Sequence, residues 1–146
     1  MWLEVSRRTG FNRRDGRRVA LTPGVSYSIL VVDEHPQEVA RLVQPLQSAG
    51  YRVTGATTFE AAMQTLTERP PHLLIAAERL GLFNGLHLVV RCRVDYPDMA
   101  AIVTAGCKDP VLEAEATTYG ASCVVAPRNS SELLALVSRT FAERPM

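Results

Sequence analysis

Short apolar segments alternate along the chain with segments in which apolar residues recur every three or four positions. The apolar segments are rich in β-branched residues and predict β-strands, whereas the recurring pattern predicts amphipathic helices. The predicted strands are residues 28–32, 51–56, 72–77, 99–104 and 122–126. A predicted helix follows each strand, beginning near residues 36, 58, 85, 110 and 130. The chain therefore contains five strand–helix units.

The spacing of apolar residues also predicts which side of a helix is buried. The first predicted helix ends near residue 49 and is expected to bury Val39, Leu42, Val43 and Leu46. Pro45 lies inside this helix, where the missing N–H is expected to kink the helix or end it early. The third predicted helix, residues 85–95, is expected to bury Leu86, Val89, Val90 and Val94.

The order of these elements predicts the fold. Strands that alternate with helices are joined by right-handed crossovers, so the sheet is parallel. We expect a doubly wound α/β fold of the flavodoxin-like type, with five parallel strands in the order 2-1-3-4-5. Ligands of such folds bind at the carboxyl ends of strands one and three. The residues expected at this crevice are Asp33, Glu34, Ala77, Thr104 and Ala126.

The composition is that of one globular domain. Of 146 residues, 47% are apolar and 21% are charged, and this length is sufficient to bury a core. The three cysteines, Cys92, Cys107 and Cys123, are too widely spaced for a disulfide framework or a metal knuckle. No apolar segment reaches the about 18 to 20 residues required to span a bilayer. We expect a cytoplasmic protein with reduced thiols.

The first 26 residues differ from the rest. They lack sustained periodicity, and residues 1–24 hold six arginines against two carboxylates, a formal charge of +4 in a chain of net charge +1. We interpret residues 1–26 as a basic, flexible arm and residues 27–144 as the folded domain. Paired arginines can bind phosphates of nucleic acid, lipid or a cyclic dinucleotide. The alternative is a solvated leader, since no aromatic or helical pattern favours binding.

An acidic pair, Asp33-Glu34, ends the first predicted strand. Two adjacent carboxylates repel each other, and a hard divalent cation between them would relieve the repulsion. The alternative is that one carboxylate caps the helix that Pro36 opens. Spacing alone does not decide between these interpretations.

Residues 28–142 resemble the receiver domain of response regulators in two-component signalling. The segment ILVVDEHP, residues 29–36, resembles the first strand and acidic pair of that family. The segment AERLGLFNG, residues 77–85, resembles its phosphoacceptor loop. IVTAG at 102–106 and GASCVVAP at 120–127 resemble its fourth and fifth strands. The number and order of predicted elements agree with the family as well.

The resemblance implies a phosphorelay role. In the family a histidine kinase phosphorylates an aspartate, while Mg²⁺ is held by that aspartate, the acidic pair and a backbone carbonyl. A lysine and a Thr or Ser hydroxyl contact the phosphoryl group. Asp33 and Glu34 correspond to the acidic pair and Thr104 to the switch threonine. The phosphoacceptor position falls on Ala77 and the lysine position on Ala126.

Loss of both groups indicates a pseudo-receiver, which keeps the fold without phosphorylation at the usual site. Glu78 is not expected to replace the missing aspartate, because successive strand residues point to opposite faces. With Asp33 and Glu34 as the remaining carboxylate ligands, Mg²⁺ is expected to bind weakly or not at all. We expect no other cofactor and no enzymatic activity.

Such a domain is expected to act through protein contacts. We expect no output domain after the last predicted helix, so the expected partner is reached in trans: a histidine kinase, another regulator or a second copy of the chain. In the family this contact commonly uses the face formed by helix four, strand five and helix five. Leu112, Tyr119 and Leu134 are candidates for exposure there. Neither a membrane nor nucleic acid is the expected partner.

Two other hypotheses stay open. The first is a small flavodoxin-like or cobalamin-type cofactor-binding protein. Against it, Glu38 stands where the corrin-binding motif requires glycine, and no glycine-rich phosphate loop follows strand one. The second is an anion-binding or nucleic-acid-binding arm, carried on the domain as a dimerising platform. It predicts binding with a steep dependence on salt concentration.

Overall fold

A computed structural model describes residues 27–143 of the chain. The predicted arm, residues 1–26, and residue 144 of the predicted domain lie outside the described residues. With strands and helices numbered in chain order, the five strands of the main sheet are β1 (Ser28–Val32), β2 (Arg52–Ala56), β3 (Leu73–Ala77), β6 (Ala100–Ala105) and β7 (Ser122–Val125). All pair in parallel, in the order β2-β1-β3-β6-β7. The predicted order 2-1-3-4-5 is confirmed, with β6 and β7 as the fourth and fifth predicted strands.

The five helices are α1 (Pro36–Ser48), α2 (Phe59–Glu68), α3 (Gly85–Arg93), α4 (Pro110–Thr118) and α5 (Ser130–Ala142). They cover both faces of the sheet. One core cluster contains buried residues of α2, α3 and α4, and the other contains buried residues of α1 and α5. The central strands β1, β3 and β6 are almost entirely buried, whereas the edge strands β2 and β7 are largely exposed. This is the doubly wound arrangement expected from the sequence.

A small feature escaped prediction. Between β3 and α3 the chain forms a two-stranded antiparallel ribbon, β4 (Arg79–Leu80) and β5 (Phe83–Asn84). Gly81 turns this ribbon with a φ of 63°, in the left-handed region that favours glycine. The ribbon lies at the carboxyl edge of the sheet, inside the loop that resembles the phosphoacceptor loop.

Several details of the predicted helices were wrong. Helix α1 continues through Pro45 to Ser48 rather than ending early, and Leu42 and Leu46, on either side of the proline, are both buried. Helix α3 ends at Arg93, and Val90 and Val94 are 36% and 85% exposed rather than buried. Leu86 and Val89 are buried as predicted, and Leu88 and Cys92 complete the side of α3 that faces the sheet. Among residues 27–143, no helix is long and apolar enough to span a membrane.

Candidate functional site

The carboxyl ends of three neighbouring strands form the crevice. In the pairing of β3 with β6, Ala77 lies opposite Thr104. On the other side of β3, Val32, the last residue of β1, lies opposite Ala76, and Asp33 follows directly. Asp33 donates its backbone N–H to the carbonyl of Ala56 at 3.2 Å, which continues the contact with β2 beyond the strand. The topology therefore brings the residues expected at the crevice to one edge of the sheet.

The Asp33 carboxylate is used in the turn that leads into α1. Its Oδ1 accepts a hydrogen bond from the backbone N–H of His35 at 2.9 Å and lies 3.2 Å from His35 Nδ1. His35 is the N-cap residue of α1, and its own side chain makes no capping hydrogen bond. The Asp33 side chain thus stabilises the turn between β1 and α1. The side chain of His35 is the second partner of this carboxylate.

The Glu34 carboxylate reaches across the crevice to the ribbon. Its Oε1 accepts a hydrogen bond from the backbone N–H of Gly81 at 3.1 Å. The two residues are 47 positions apart in sequence, so this contact ties the β1–α1 loop to the turn of the β4–β5 ribbon. The acidic pair therefore has two separate structural partners, one on each side.

A methyl group occupies the position that corresponds to the phosphoacceptor. Ala77 is half-buried and packs against the core on the side of α2, α3 and α4. Opposite it, Thr104 is the one buried polar residue among those described, with 8% of its surface exposed. The Thr104 carbonyl accepts the backbone N–H of Glu78 at 2.8 Å, which extends the pairing of β3 and β6 by one residue. The crevice floor contains a hydroxyl but no nucleophilic carboxylate at residue 77.

Close approach of two backbones explains the glycine at the start of α3. A Cβ on Gly85 would lie 2.4 Å from the carbonyl oxygen of Ala77 and 3.1 Å from the Ala76 Cβ. The Gly85 N–H donates to the Glu78 carbonyl at 3.0 Å. The requirement for glycine is therefore steric, and it holds whether or not residue 77 carries a reactive group.

The end of the phosphoacceptor-like loop also caps α3. Asn84 Oδ1 accepts the backbone N–H of His87 at 2.8 Å, and His87 Nδ1 accepts the backbone N–H of Asn84 at 3.4 Å. This reciprocal pair satisfies two of the backbone donors at the helix start. Phe83 stacks on Phe59 of α2, with ring centroids 4.5 Å apart. His87 lies three positions after Asn84, which is the spacing of a capping box.

A further cation at the crevice was not found from the sequence. Arg41, on α1, donates through Nη1 to the backbone carbonyl of Pro127 at 3.0 Å and pairs with Glu38 at 2.8 Å. Hydrogen bonds from Arg41 lower the pKa of Glu38, and the same bonds, with a smaller contribution from Asp33, raise the pKa of Arg41. The i,i+3 spacing of Glu38 and Arg41 was the available signal.

Arg41 thereby fixes the segment that follows β7. Ala126, at the position of the family lysine, donates its N–H to the Ala105 carbonyl at 2.9 Å, and the next residue, Pro127, accepts from Arg41. An arginine from another helix binds the backbone here, whereas residue 126 itself presents a methyl group. The β7–α5 connection is consequently held to α1.

Comparison with known proteins identifies the family. A family model described as the response regulator receiver domain matches residues 29–138, well over half of the chain. The chain belongs to the response regulator receiver domain family. It is a receiver domain of two-component signalling, as its sequence motifs indicated. No curated protein sequence matches the chain significantly.

Solved receiver structures show the same fold. The chemotaxis response regulator CheY4 of Vibrio cholerae is 22% identical, with a TM-score of 0.74 over 80% of this chain and 99% of that one. A CheY-like receiver domain protein from Methanospirillum hungatei is 21% identical, with a TM-score of 0.76 over 82% of this chain and 97% of that one. A response regulator from Thermotoga maritima is 22% identical, with a TM-score of 0.73 over 82% and 100%. At these identities the likeness shows the fold.

The donor set of this receiver domain does not fit the Mg²⁺ site that the family implies. Mg²⁺ requires near-octahedral oxygen ligands. Asp33 and Glu34 supply two carboxylates, each with one oxygen bonded to a backbone N–H, and residue 77 supplies no oxygen from its side chain. Within residues 27–143, no group of three or more His, Cys, Asp or Glu side chains is arranged to hold a metal ion. Weak or absent Mg²⁺ binding stays a prediction.

The remaining thiols and histidines lie in different environments. Burial raises the pKa of the Cys92 thiol to about 11. Burial also raises the pKa of Cys123, with smaller contributions from Glu113, Glu78 and Asp109. Cys107 is exposed. His72, at the opposite edge of the sheet, accepts the backbone N–H of Ser28 at 2.9 Å through Nδ1, a structural role away from the crevice.

Proposed function

We propose that this receiver domain is a pseudo-receiver that acts through phosphorylation-independent protein contacts. The observation that carries the proposal is the pair of methyl groups at Ala77 and Ala126, on either side of Thr104 at the crevice. Phosphoryl transfer needs an in-line nucleophile and neutralisation of the developing charge. Neither side chain supplies these functions.

The bonding of the acidic pair supports the same proposal. In a phosphorylated receiver both carboxylates must be available to a metal ion. Here Asp33 orders the entry into α1 and Glu34 binds the turn at Gly81. Both carboxylates therefore have a structural role that does not depend on phosphorylation, because each accepts a hydrogen bond from a backbone N–H in a loop.

The surface formed by α4, β7 and α5 is the proposed site of contact with a protein partner. Val111, Tyr119 and Val125 are 71%, 42% and 50% exposed on these elements. A shallow groove beside β7 is lined by Val124, Val125, Pro127, Leu136 and neighbouring residues of α5. The expected contributions of Leu112 and Leu134 were wrong in part: Leu112 is buried at 6% exposure, and Leu134 is half-buried against the core of α1 and α5.

The partner proposed for this surface is a protein of the same signalling class. A histidine kinase, another regulator or a second receiver would each meet it with a mainly apolar surface. Exposed apolar side chains in such a patch are a common mark of protein interfaces. An unphosphorylated domain can then be regulated by the amount or state of its partner.

Incubation with Mg²⁺ and a small phosphoryl donor such as acetyl phosphate tests the proposal. Intact mass spectrometry is expected to show no phosphorylated species of the wild-type protein. The double variant Ala77→Asp with Ala126→Lys provides the positive control, since it restores both missing groups. Phosphorylation of the wild-type protein would contradict the proposal if it disappeared when one acidic residue was replaced, for example in Glu78→Gln.

A further inference from the structure

Exposed apolar side chains concentrate on one short segment of the chain. Seven large apolar residues are exposed within residues 27–143, and four of them lie between positions 82 and 94. These four are Leu82, Phe83, Val90 and Val94, with exposures of 98%, 42%, 36% and 85%. The other three belong to the α4, β7 and α5 surface described above.

Exposed side chains follow α3 from the β4–β5 ribbon to the end of the helix. Positions 87, 90 and 94 are separated by three and four residues, so they lie on one face of α3. The Phe83 ring, on β5, lies 6.3 Å from the His87 ring. Leu82 precedes Phe83 at the turn of the ribbon. We call the set Leu82, Phe83, His87, Val90 and Val94 the α3 stripe. The opposite side of the helix is fully used, since Leu86, Val89 and Cys92 pack in the core.

Ordered neighbouring residues hold several members of the stripe in place. Phe83 stacks on Phe59 at 4.5 Å, and His87 completes the cap with Asn84. Glu34 holds the turn of the ribbon through Gly81. The exposed apolar surface is therefore built on ordered neighbours, and binding a partner would require little further ordering.

Two charged residues flank the stripe on the same side. Arg91 and Asp95 are both exposed and lie four positions apart, beside Val90 and Val94. Neither makes an ion pair or side-chain hydrogen bond to another residue of the part of the chain that the structure describes. A basic and an acidic residue on one flank are the arrangement that a twofold axis makes self-complementary.

We propose that the α3 stripe contacts a second copy of this chain through Val90 and Val94, with the two α3 helices antiparallel. A twofold axis between the helices would place Val90 of each copy against Val94 of its partner. The same axis would set Arg91 of each copy beside Asp95 of its partner, twice over. Apolar burial at the centre and opposite charges at the rim match the usual anatomy of a protein interface.

A second copy accounts for the charges better than other occupants do. The α3 stripe is neutral at its centre, so an anionic or cationic ligand has no matching group along it. A segment of residues 1–26 would bring a strongly basic sequence against a flank that already carries Arg91. Self-association satisfies the positive and the negative group together, because each copy carries both.

Sedimentation of the full chain over concentrations up to about 1 mM tests the proposal. The wild type is expected to pass from a species of 16.0 kDa to one of twice that mass. Val94→Asp is expected to raise the dimer dissociation constant at least about tenfold, since each dimer buries two copies of the changed residue. Ala40→Asp is the control, because Ala40 is exposed on α1 and lies outside both apolar surfaces. Val111→Asp probes the competing surface of α4, β7 and α5.

A charge exchange tests the orientation. Arg91→Asp and Asp95→Arg are each expected to weaken the dimer, because like charges then face each other at both ends. The double variant Arg91→Asp with Asp95→Arg is expected to regain dimerisation, since the opposite charges are restored with their positions exchanged. Circular dichroism confirms that each variant keeps its helices, which these exposed positions are expected to tolerate.

Several results would overturn the proposal. A wild-type protein that stays monomeric across the series would do so, including the case in which residues 1–26 cover the stripe. A dimer that is weakened by Val111→Asp and not by Val94→Asp would assign association to the α4, β7 and α5 surface instead. A double charge variant that dimerises no better than either single variant would exclude the antiparallel arrangement.

Discussion

Glu34 and Gly81, which lie 47 positions apart, are joined by a hydrogen bond of 3.1 Å from the glycine N–H to the glutamate Oε1. The bond crosses the crevice from the β1–α1 loop to the turn of the β4–β5 ribbon. In a phosphorylated receiver a carboxylate at this position serves the metal ion. Here it accepts a hydrogen bond from the backbone of the neighbouring loop. Four predictions concern this crevice and the core beneath it.

Glu34→Ala is expected to loosen the β4–β5 ribbon while leaving the fold intact. The variant removes the acceptor of the Gly81 N–H, and the group is exposed, so the free energy of unfolding should fall by at most about 1 kcal/mol. Hydrogen exchange at Gly81 and its neighbours should quicken. Glu60→Ala, at an exposed glutamate of α2, is the control. Unchanged exchange at Gly81 would show that the bond does not hold the ribbon.

Gly85→Ala is expected to destabilise the protein by about 2 kcal/mol, within the range for overpacking a tight site. The added Cβ would lie 2.4 Å from the Ala77 carbonyl oxygen, and backbone must move to relieve the contact. Chemical denaturation measures the change. Gly106→Ala is the matched control, because a Cβ there would meet no atom within 4 Å. Equal effects of the two substitutions would contradict the steric explanation.

The ion pair of Glu38 and Arg41 predicts a small loss of stability in acid. Hydrogen bonds from Arg41 lower the pKa of Glu38 from its usual 4.5, so the folded protein favours the ionised carboxylate. The stabilisation is complete above pH 4.5 and is lost as the pH falls through the lower folded-state pKa. Because the side chains are 42% and 36% exposed, the effect should be about 0.5 kcal/mol or less.

Glu38→Gln measures this effect by difference. The free energies of unfolding of the wild type and the variant are compared at a pH above 4.5 and at a pH below the folded-state pKa of Glu38. The difference between them should shrink on acidification. Glu60→Gln is the control, because Glu60 has no hydrogen bond from an arginine in the part of the chain that the structure describes. Glu132→Gln is unsuitable, since hydrogen bonds from Arg128 also lower the pKa of Glu132. A difference that grows on acidification would contradict the assigned sign.

The cysteines are expected to react with thiol reagents in a fixed order. Cys107 is exposed and should be modified first. Cys92 is 1% exposed, and burial raises its pKa to about 11, so little thiolate forms at neutral pH. Time-resolved mass spectrometry with peptide mapping follows each site. Modification of Cys92 at the rate of Cys107 in the folded protein would show that the core around α3 opens readily.

The sequence was sufficient for the sheet and insufficient for the loops. Continuous apolar strands such as 28–32 can be covered only from both faces, so strand order followed from the alternation of elements. The contact of Glu34 with Gly81 could not be predicted, because it depends on a two-residue ribbon that carries no periodicity. Arg41 was missed for the same reason: its partner at Pro127 is a backbone carbonyl, which leaves no trace in residue identity.

Adjacent apolar residues caused the errors in burial. Val89 and Val90 are consecutive on α3, and helical spacing allows either to face the sheet; the structure buries Val89 and exposes Val90. The same ambiguity affected α4, where Leu112 is buried and its neighbour Val111 is exposed. Periodicity fixes a face to within about one residue, or 100° of rotation. Tertiary packing decides which of two neighbours is covered.

The most direct measurement of the central claim is an amide NMR titration of the protein with Mg²⁺ and a phosphoryl mimic. The account predicts no saturable change that spreads from residue 77 to Thr104 and β7, while the variant Ala77→Asp with Ala126→Lys should show one. A saturable change of this kind in the wild-type protein, abolished by Asp33→Asn, would contradict the assignment as a pseudo-receiver.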